Sequence, residues 1–148
     1  MTRTIVHKKQ THNYNCGPTA LAMLLNFYSI PHVEDELEAL CETSTKIGTH
    51  HANIVKAART LGAQVSDKEN ASIKDIEDAL KIGHPVLVNY FNPITKVGHF
   101  AIVKSLEDAH VVLADPQNGD NYRLTFEEFE TLWHNMDKTL HRWMMHLV

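Results

Sequence analysis

Residues 16–30, CGPTALAMLLNFYSI, decide how the rest of the chain is read. Leu21, Leu24, Leu25 and Tyr28 recur at i, i+3, i+4 and i+7, the spacing of one helical face. Ala20, Met23 and Phe27 fill most of the remaining circumference, and a helix apolar nearly all round has to be buried. Pro18 suits a first helical turn, where its missing N–H costs nothing, and Pro31 ends the pattern. Immediately upstream, residues 10–15 (QTHNYN) are polar and read as loop. Cys16 therefore stands where a polar loop enters a central, buried helix.

Working outward, residues 4–7 are expected to form a short strand. Residues 33–41 are expected to form an amphipathic helix with Leu37, Leu40 and Cys41 inward. A third helix, HHANIVKAARTLG, is predicted with Thr49 as its cap, Ile54, Ala57, Ala58 and Leu61 on one side, and Gly62 closing it. Residues 63–66 are a candidate strand. Ser72 opens a fourth helix, IKDIEDALKIG, with Asp75 at the capping-box position and Gly83 past the end. Strands dominate the C-terminal half: residues 85–91 (PVLVNYF), 99–104 (HFAIVK), 110–114 (HVVLA) and 142–148. Turns are expected at Asn92-Pro93 and at residues 115–119. Residues 125–133 (TFEEFETLW) carry a capping box, Thr125 with Glu128. The strands at 99–104 and 110–114 are apolar on both faces, which predicts central strands covered on each side. The order, helices first and antiparallel strands later, is that of an α+β fold. The length, 148 residues, predicts one domain spanning 1–148.

Composition narrows the function classes. With 43% hydrophobic and 22% charged residues the chain is globular rather than disordered. A formal charge of −4 gives no basic field for nucleic acid or anionic membrane. No apolar stretch nears the roughly 20 residues of a membrane span, and the N-terminal MTRTIVHKKQT has no apolar signal region, so the expected location is the cytoplasm. Two cysteines, Cys16 and Cys41, are too few for a disulfide framework. The eleven histidines include no H-E-x-x-H and no tight Cys/His cluster, so no metal or cofactor is expected.

A thiol at a helix start meets the positive end of the helix dipole, which favours the reactive thiolate. Cys16 is thus a candidate nucleophile, against the alternative of a small buried hydrophobe. Gly17 beside it leaves room for a substrate backbone to approach. Cys41, on the apolar side of its helix, reads as core. A nucleophilic thiol needs a base within hydrogen-bond reach. His99, after Gly98 at the start of a strand, is the candidate. His110 falls at the far end of the hairpin, His50 and His51 at a helix start, and His7 and His12 flank the first loop and stay open. If residues 99–104 and 110–114 form an antiparallel hairpin, the end of the second lies beside the start of the first. Asp115 is then either a turn-former before Pro116 or the residue that orients His99.

The run Q-x5-C-G-P-T-A-L-A-M-L-L, followed by G-H-F-A-I-V and A-D-P, resembles the bacteriocin-processing cysteine peptidases. These are papain-like domains that cut leader peptides after a double glycine, usually fused to an export transporter. The stretch from Gly48 to Gly62 is similar to that family's middle helix. The resemblance implies Gln10 in the oxyanion hole, Cys16 as nucleophile, His99 as base and Asp115 as its orienting partner. It also implies a papain-like fold, with a helix carrying the cysteine packed on an antiparallel sheet. No G-x-x-x-x-G-K-[ST] motif is present, so the expectation is a stand-alone domain.

The expected activity is therefore a thiol peptidase cleaving an amide bond of a peptide substrate through a Cys16 acyl-enzyme. The alternatives are an acyltransferase or non-peptide amide hydrolase on the same residues, and a catalytically silent peptide-binding module.

Overall fold

A computed structural model describes residues 3–148; Met1 and Thr2, the start of the MTRTIVHKKQT segment, lie outside the described residues. In chain order the elements are α1 (Cys16–Phe27), a 3-10 turn (Glu34–Glu36), α2 (Leu37–Leu40), α3 (His51–Thr60), β1 (Val65–Lys68), α4 (Ile73–Lys81), β2 (Val86–Asn92), β3 (Val97–Glu107), β4 (His110–Asp115), β5 (Gly119–Thr125), α5 (Phe126–Leu132) and β6 (Met144–Leu147). The six strands form one sheet in the order β1-β6-β2-β3-β4-β5, and every pairing is antiparallel. The α+β expectation holds.

Both faces of the sheet are covered, as the two-sided apolar strands require. On one face, Leu87, Phe100, Ile102 and Ala114 meet Leu21, Leu24 and Leu25 of α1 and Ile54 and Ala58 of α3. On the other, Val86, Val88, Ala101 and Val111 meet Ile76 and Ala79 of α4 and Phe129 and Trp133 near α5. Burying a Leu-sized side chain contributes about 1.5–3 kcal/mol, so these two layers hold the sheet from both sides. The helix through residues 16–30 is the buried one expected; every residue from Ala20 to Leu25 is at most 1% exposed. It stops at Phe27, three residues early, because Ser29 turns to φ 55° ahead of Pro31.

Several expectations need correction. Residues 4–7 form no strand: their contacts, and those of the next residue, run through side chains, His7 to the Asp115 carbonyl and the Lys8 N–H to the Met23 sulfur. The helix over residues 33–41 is two short pieces, although Leu37 and Cys41 point inward as expected. Thr49 does not cap α3; His50 occupies the cap position, and the Thr49 hydroxyl pairs with that of Thr43 at 2.7 Å. Both capping boxes, Ser72 with Asp75 and Thr125 with Glu128, are present, and Gly62 and Gly83 close their helices at φ +94° and +84°.

Candidate active site

Cys16 is the first residue of α1 and is 9% exposed. The helix start is bare. Asn15, in the cap position, makes no side-chain cap bond. It turns instead to its own loop and to α2, accepting from the His12 N–H at 3.0 Å and donating to Glu38 at 3.0 Å. The first backbone N–H groups of α1, which have no partner within the helix, are thus left without a side-chain acceptor. The Gly17 position differs from expectation: a Cβ there would lie 2.8 Å from the Thr49 hydroxyl oxygen, so the missing side chain makes room for Thr49 rather than for a substrate.

His99 is the third residue of β3, not its first, and is 3% exposed rather than open at a strand tip. Its direct cross-strand partner is Tyr90 of β2, and the two rings meet edge to face with centroids 5.6 Å apart. The hairpin of β3 and β4 pairs Ile102 with Ala114, which brings the end of β4 back toward the start of β3. The His110 end lies at the opposite tip, against Glu107. A register shift between Leu113 and Asp115 marks a bulge in the β4–β5 ladder, the kind of irregularity that re-aims a side chain. Asp115, fully buried, reaches His99 across this corner: its Oδ1 lies 2.6 Å from His99 Nε2. The same oxygen accepts the N–H groups of Gln117 at 2.9 Å and Asn118 at 2.8 Å, while Oδ2 accepts from the Tyr90 hydroxyl.

The electrostatics follow from these contacts. Burial works against a charged His99 ring, but the bond to Asp115 and the interaction with the nearby Cys16 thiol outweigh it and raise the group to about 10. Burial likewise works against the Asp115 carboxylate, yet its bonds from His99, Tyr90 and the Asn118 backbone hold it below the ordinary range. Cys41, buried in the core with no such partner, is pushed up to about 12.

Gln10 sits in the loop before α1, 8% exposed, and its backbone N–H donates to the Pro116 carbonyl at 2.9 Å, one residue past Asp115. Its side-chain nitrogen donates to the His12 carbonyl at 2.8 Å, while its buried Oε1 has no partner. A cleft of about 290 Å³ opens beside this loop, lined by Thr11, His12 and Asn15 on one side and Glu34, Asp35 and Glu38 on the other. Cys16, His99 and Asp115 are therefore brought together, and Gln10 is tied to the same corner through Pro116. Two neighbours were given no role by the sequence. His7, left open there as a residue flanking the first loop, is half-buried and places Nε2 2.8 Å from the Asp115 carbonyl oxygen. Tyr90 was not placed by the expected turn at Asn92-Pro93: the hairpin closes on Asn92 and Val97 around residues 93–96, and that longer loop is what sets Tyr90 opposite His99. Among the described residues no group of three or more His, Cys, Asp or Glu is placed to hold a metal ion, and no helix is long and apolar enough to cross a membrane.

Known proteins share this architecture. The peptidase domain of Streptococcus ComA, a bifunctional ABC transporter, superposes with a TM-score of 0.79 at 22% identity, covering 97% of this chain and 98% of that one. A double glycine motif protease from an AMS/PCAT transporter, solved with its leader peptide, gives a TM-score of 0.75 at 22% identity, covering 99% and 93%. An uncharacterized protein of Methanothermobacter thermautotrophicus is 30% identical over 110 residues, 74% of this chain and 70% of its own length. Residues 4–141 match the Peptidase C39 family along nearly the whole chain, and the chain belongs to that family of cysteine peptidases.

Proposed function

We propose that this peptidase cleaves an amide bond of a peptide through a Cys16 acyl-enzyme, with His99 as base, Asp115 as the residue orienting it, and Gln10 as an oxyanion donor. The observation that carries the reading is the buried pair of His99 Nε2 and Asp115 Oδ1 at 2.6 Å, with the Cys16 thiol at the start of α1 acting on the same ring.

With Nε2 on Asp115, the remaining ring nitrogen Nδ1 is the one available to the sulfur. Thiolate and imidazolium then form a pair, and the sulfur attacks the carbonyl carbon. The oxyanion that develops is met by the bare N–H groups at the start of α1 and by the second hydrogen of the Gln10 amide, the first being held by His12. His99 gives its proton to the leaving amine, then takes one from the water that releases the acyl group. Loss of one oxyanion donor costs about 10²–10³ in rate in a comparable site, which is the effect expected of Gln10→Ala. The leader peptide bound to the AMS/PCAT protease supports a peptide as substrate here too. Both cysteines are free, which favours a reducing, cytoplasmic setting. The packing of the described elements on both faces of one sheet supports a single domain.

The test is turnover of double-glycine leader peptides, read by mass spectrometry, together with the alkylation rate of each cysteine. Cys16→Ala should abolish cleavage and Cys41→Ala should not. Cys16 should also label far faster than the deeply buried Cys41. A Cys16→Ala chain that still cleaves would sink the proposal.

A further inference from the structure

Tyr90 is fully buried, ionisable and has no part in the acyl transfer above. Its surroundings fix the direction of every hydrogen bond around it. The Ile94 N–H, a donor beyond doubt, lies 3.0 Å from Asn92 Oδ1 and so marks that atom as the amide oxygen. The Asn118 side-chain atom 3.1 Å from the same oxygen must then be its nitrogen, Nδ2. That nitrogen lies 3.2 Å from the Tyr90 oxygen and donates to it. Tyr90 has one hydrogen, and with Asn118 donating to its oxygen that hydrogen is directed at Asp115 Oδ2. On the other lobe, Oδ1 is already committed as acceptor to two backbone N–H groups, from Gln117 and Asn118. Each carboxylate oxygen is thereby an acceptor, so the hydrogen between His99 and Asp115 belongs to Nε2.

We propose that Tyr90 and Asn118 are positioning residues that hold Asp115 as a pure acceptor, and so fix His99 with its hydrogen on Nε2 and Nδ1 turned to Cys16. The assignment of Nδ1 as the base rests on the catalytic reading above; the hydrogen-bond chain does not. A backbone amide on the β2–β3 turn thus sets, through Asn92, Asn118, Tyr90 and Asp115 in turn, the orientation of the His99 ring, with Nε2–H held on Asp115. Asn92, itself fully buried, is the link that makes the chain unambiguous. The alternative, a protonated Asp115, sets a hydroxyl, a weaker acceptor than a carboxylate oxygen, in front of either the Tyr90 hydrogen or the two backbone N–H groups, a loss in a buried site.

The groups facing Asp115 are His99 from β3, Tyr90 from β2, Tyr122 from β5 and His7 at its carbonyl. Titration of the Asp115 carboxyl carbon by ¹³C NMR in the full chain tests the proposal. Tyr90→Phe removes one donor, and Asn118→Asp, of the same shape, turns the Tyr90 hydrogen away from Asp115. A hydrogen bond to a charged group corresponds to about one pH unit or more, so in both variants the carboxyl should protonate about one unit higher than in the parent. Tyr122→Phe, which gives Asp115 no hydrogen bond, should leave the midpoint in place. Should Tyr90→Phe not fold, the partly exposed Asn118 carries the test alone. Identical midpoints in the parent and Asn118→Asp would overturn the proposal. The titration needs no turnover: a cleaving Cys16→Ala chain would remove the catalytic reading and leave this result intact, and an unmoved midpoint beside an inactive Cys16→Ala would do the reverse.

Discussion

The buried pair of His99 and Asp115 makes the stability of this chain depend on pH in a defined direction. In the folded chain the ring keeps its proton to about 10, whereas an unfolded imidazole releases it near 6.5. The stabilisation from this group is therefore fully present below about pH 6.5 and is lost as pH rises through about 10. Asp115 runs the other way. Its carboxylate is held low, so its share is present above the ordinary value near 3.9 and is lost as pH falls below it. Asp115→Asn removes the charge while adding an amide that clashes with donors already in place from Gln117 and Asn118. Breaking one partner of a buried pair costs on the order of 3–5 kcal/mol. In urea unfolding, the stability gap between parent and Asp115→Asn should be widest near pH 6 and should narrow toward pH 10. A gap constant across that range would show that the ring is not held charged by Asp115.

At the scale of elements, the start of α1 is set by how closely α3's leading segment approaches it. A Cβ on Gly17 would fall 2.8 Å from the Thr49 Oγ1 and 2.9 Å from its Cβ. Gly17→Ala should therefore cost about 1–3 kcal/mol through overpacking, and Thr49→Gly in the same chain should return part of it. Thermal unfolding reads both; a Gly17→Ala chain melting with the parent would mean that the contact is relieved at no cost. Elements with strong local signals were legible in the sequence: α1 from its all-round apolar face, α4 and α5 from their capping boxes, and the β3–β4 hairpin from its paired apolar runs. That hairpin also made Asp115 legible as a neighbour of His99. β5 was not, because Gly119, Asp120 and Asn121 are poor strand formers and only Leu124 along it is buried. It is an edge strand held by its ladder to β4. Residues 33–41 looked like one helix, but the acidic run 34–36 winds as a 3-10 turn and leaves only four residues of α-helix. His7 stayed open for a different reason: the tie it makes is a contact 108 positions away, of which the local sequence carries no trace.

That distant contact matters for the molecule as a whole, because the site is divided between its layers. Cys16 comes with α1, which packs on the sheet, whereas His99 and Asp115 belong to the sheet itself. In the proposed mechanism catalysis depends on their separation, and a misplacement of about 1 Å can cost about 10²-fold in rate. Apolar packing fixes the layers broadly. The segment leading into α1 adds directed ties to the Asp115–Pro116 corner: His7 Nε2 to the Asp115 carbonyl at 2.8 Å and the Gln10 N–H to the Pro116 carbonyl at 2.9 Å. Lys8 anchors the same segment to Glu34 at 3.0 Å, on the helical side. A carbonyl only accepts, so His7 Nε2 carries a hydrogen, and both the neutral Nε2–H ring and the imidazolium can supply it. His7→Ala removes the side-chain tie and leaves that of Gln10. Losing one such bond costs about 1 kcal/mol of stability, so the chain stays folded. The kcat for peptide cleavage should nevertheless fall about tenfold, within what a sub-ångström shift of the Gln10 loop against Asp115 allows, while KM changes little. A parent-like kcat in a folded His7→Ala chain would mean that packing of α1 on the sheet alone sets the distance between thiol and ring.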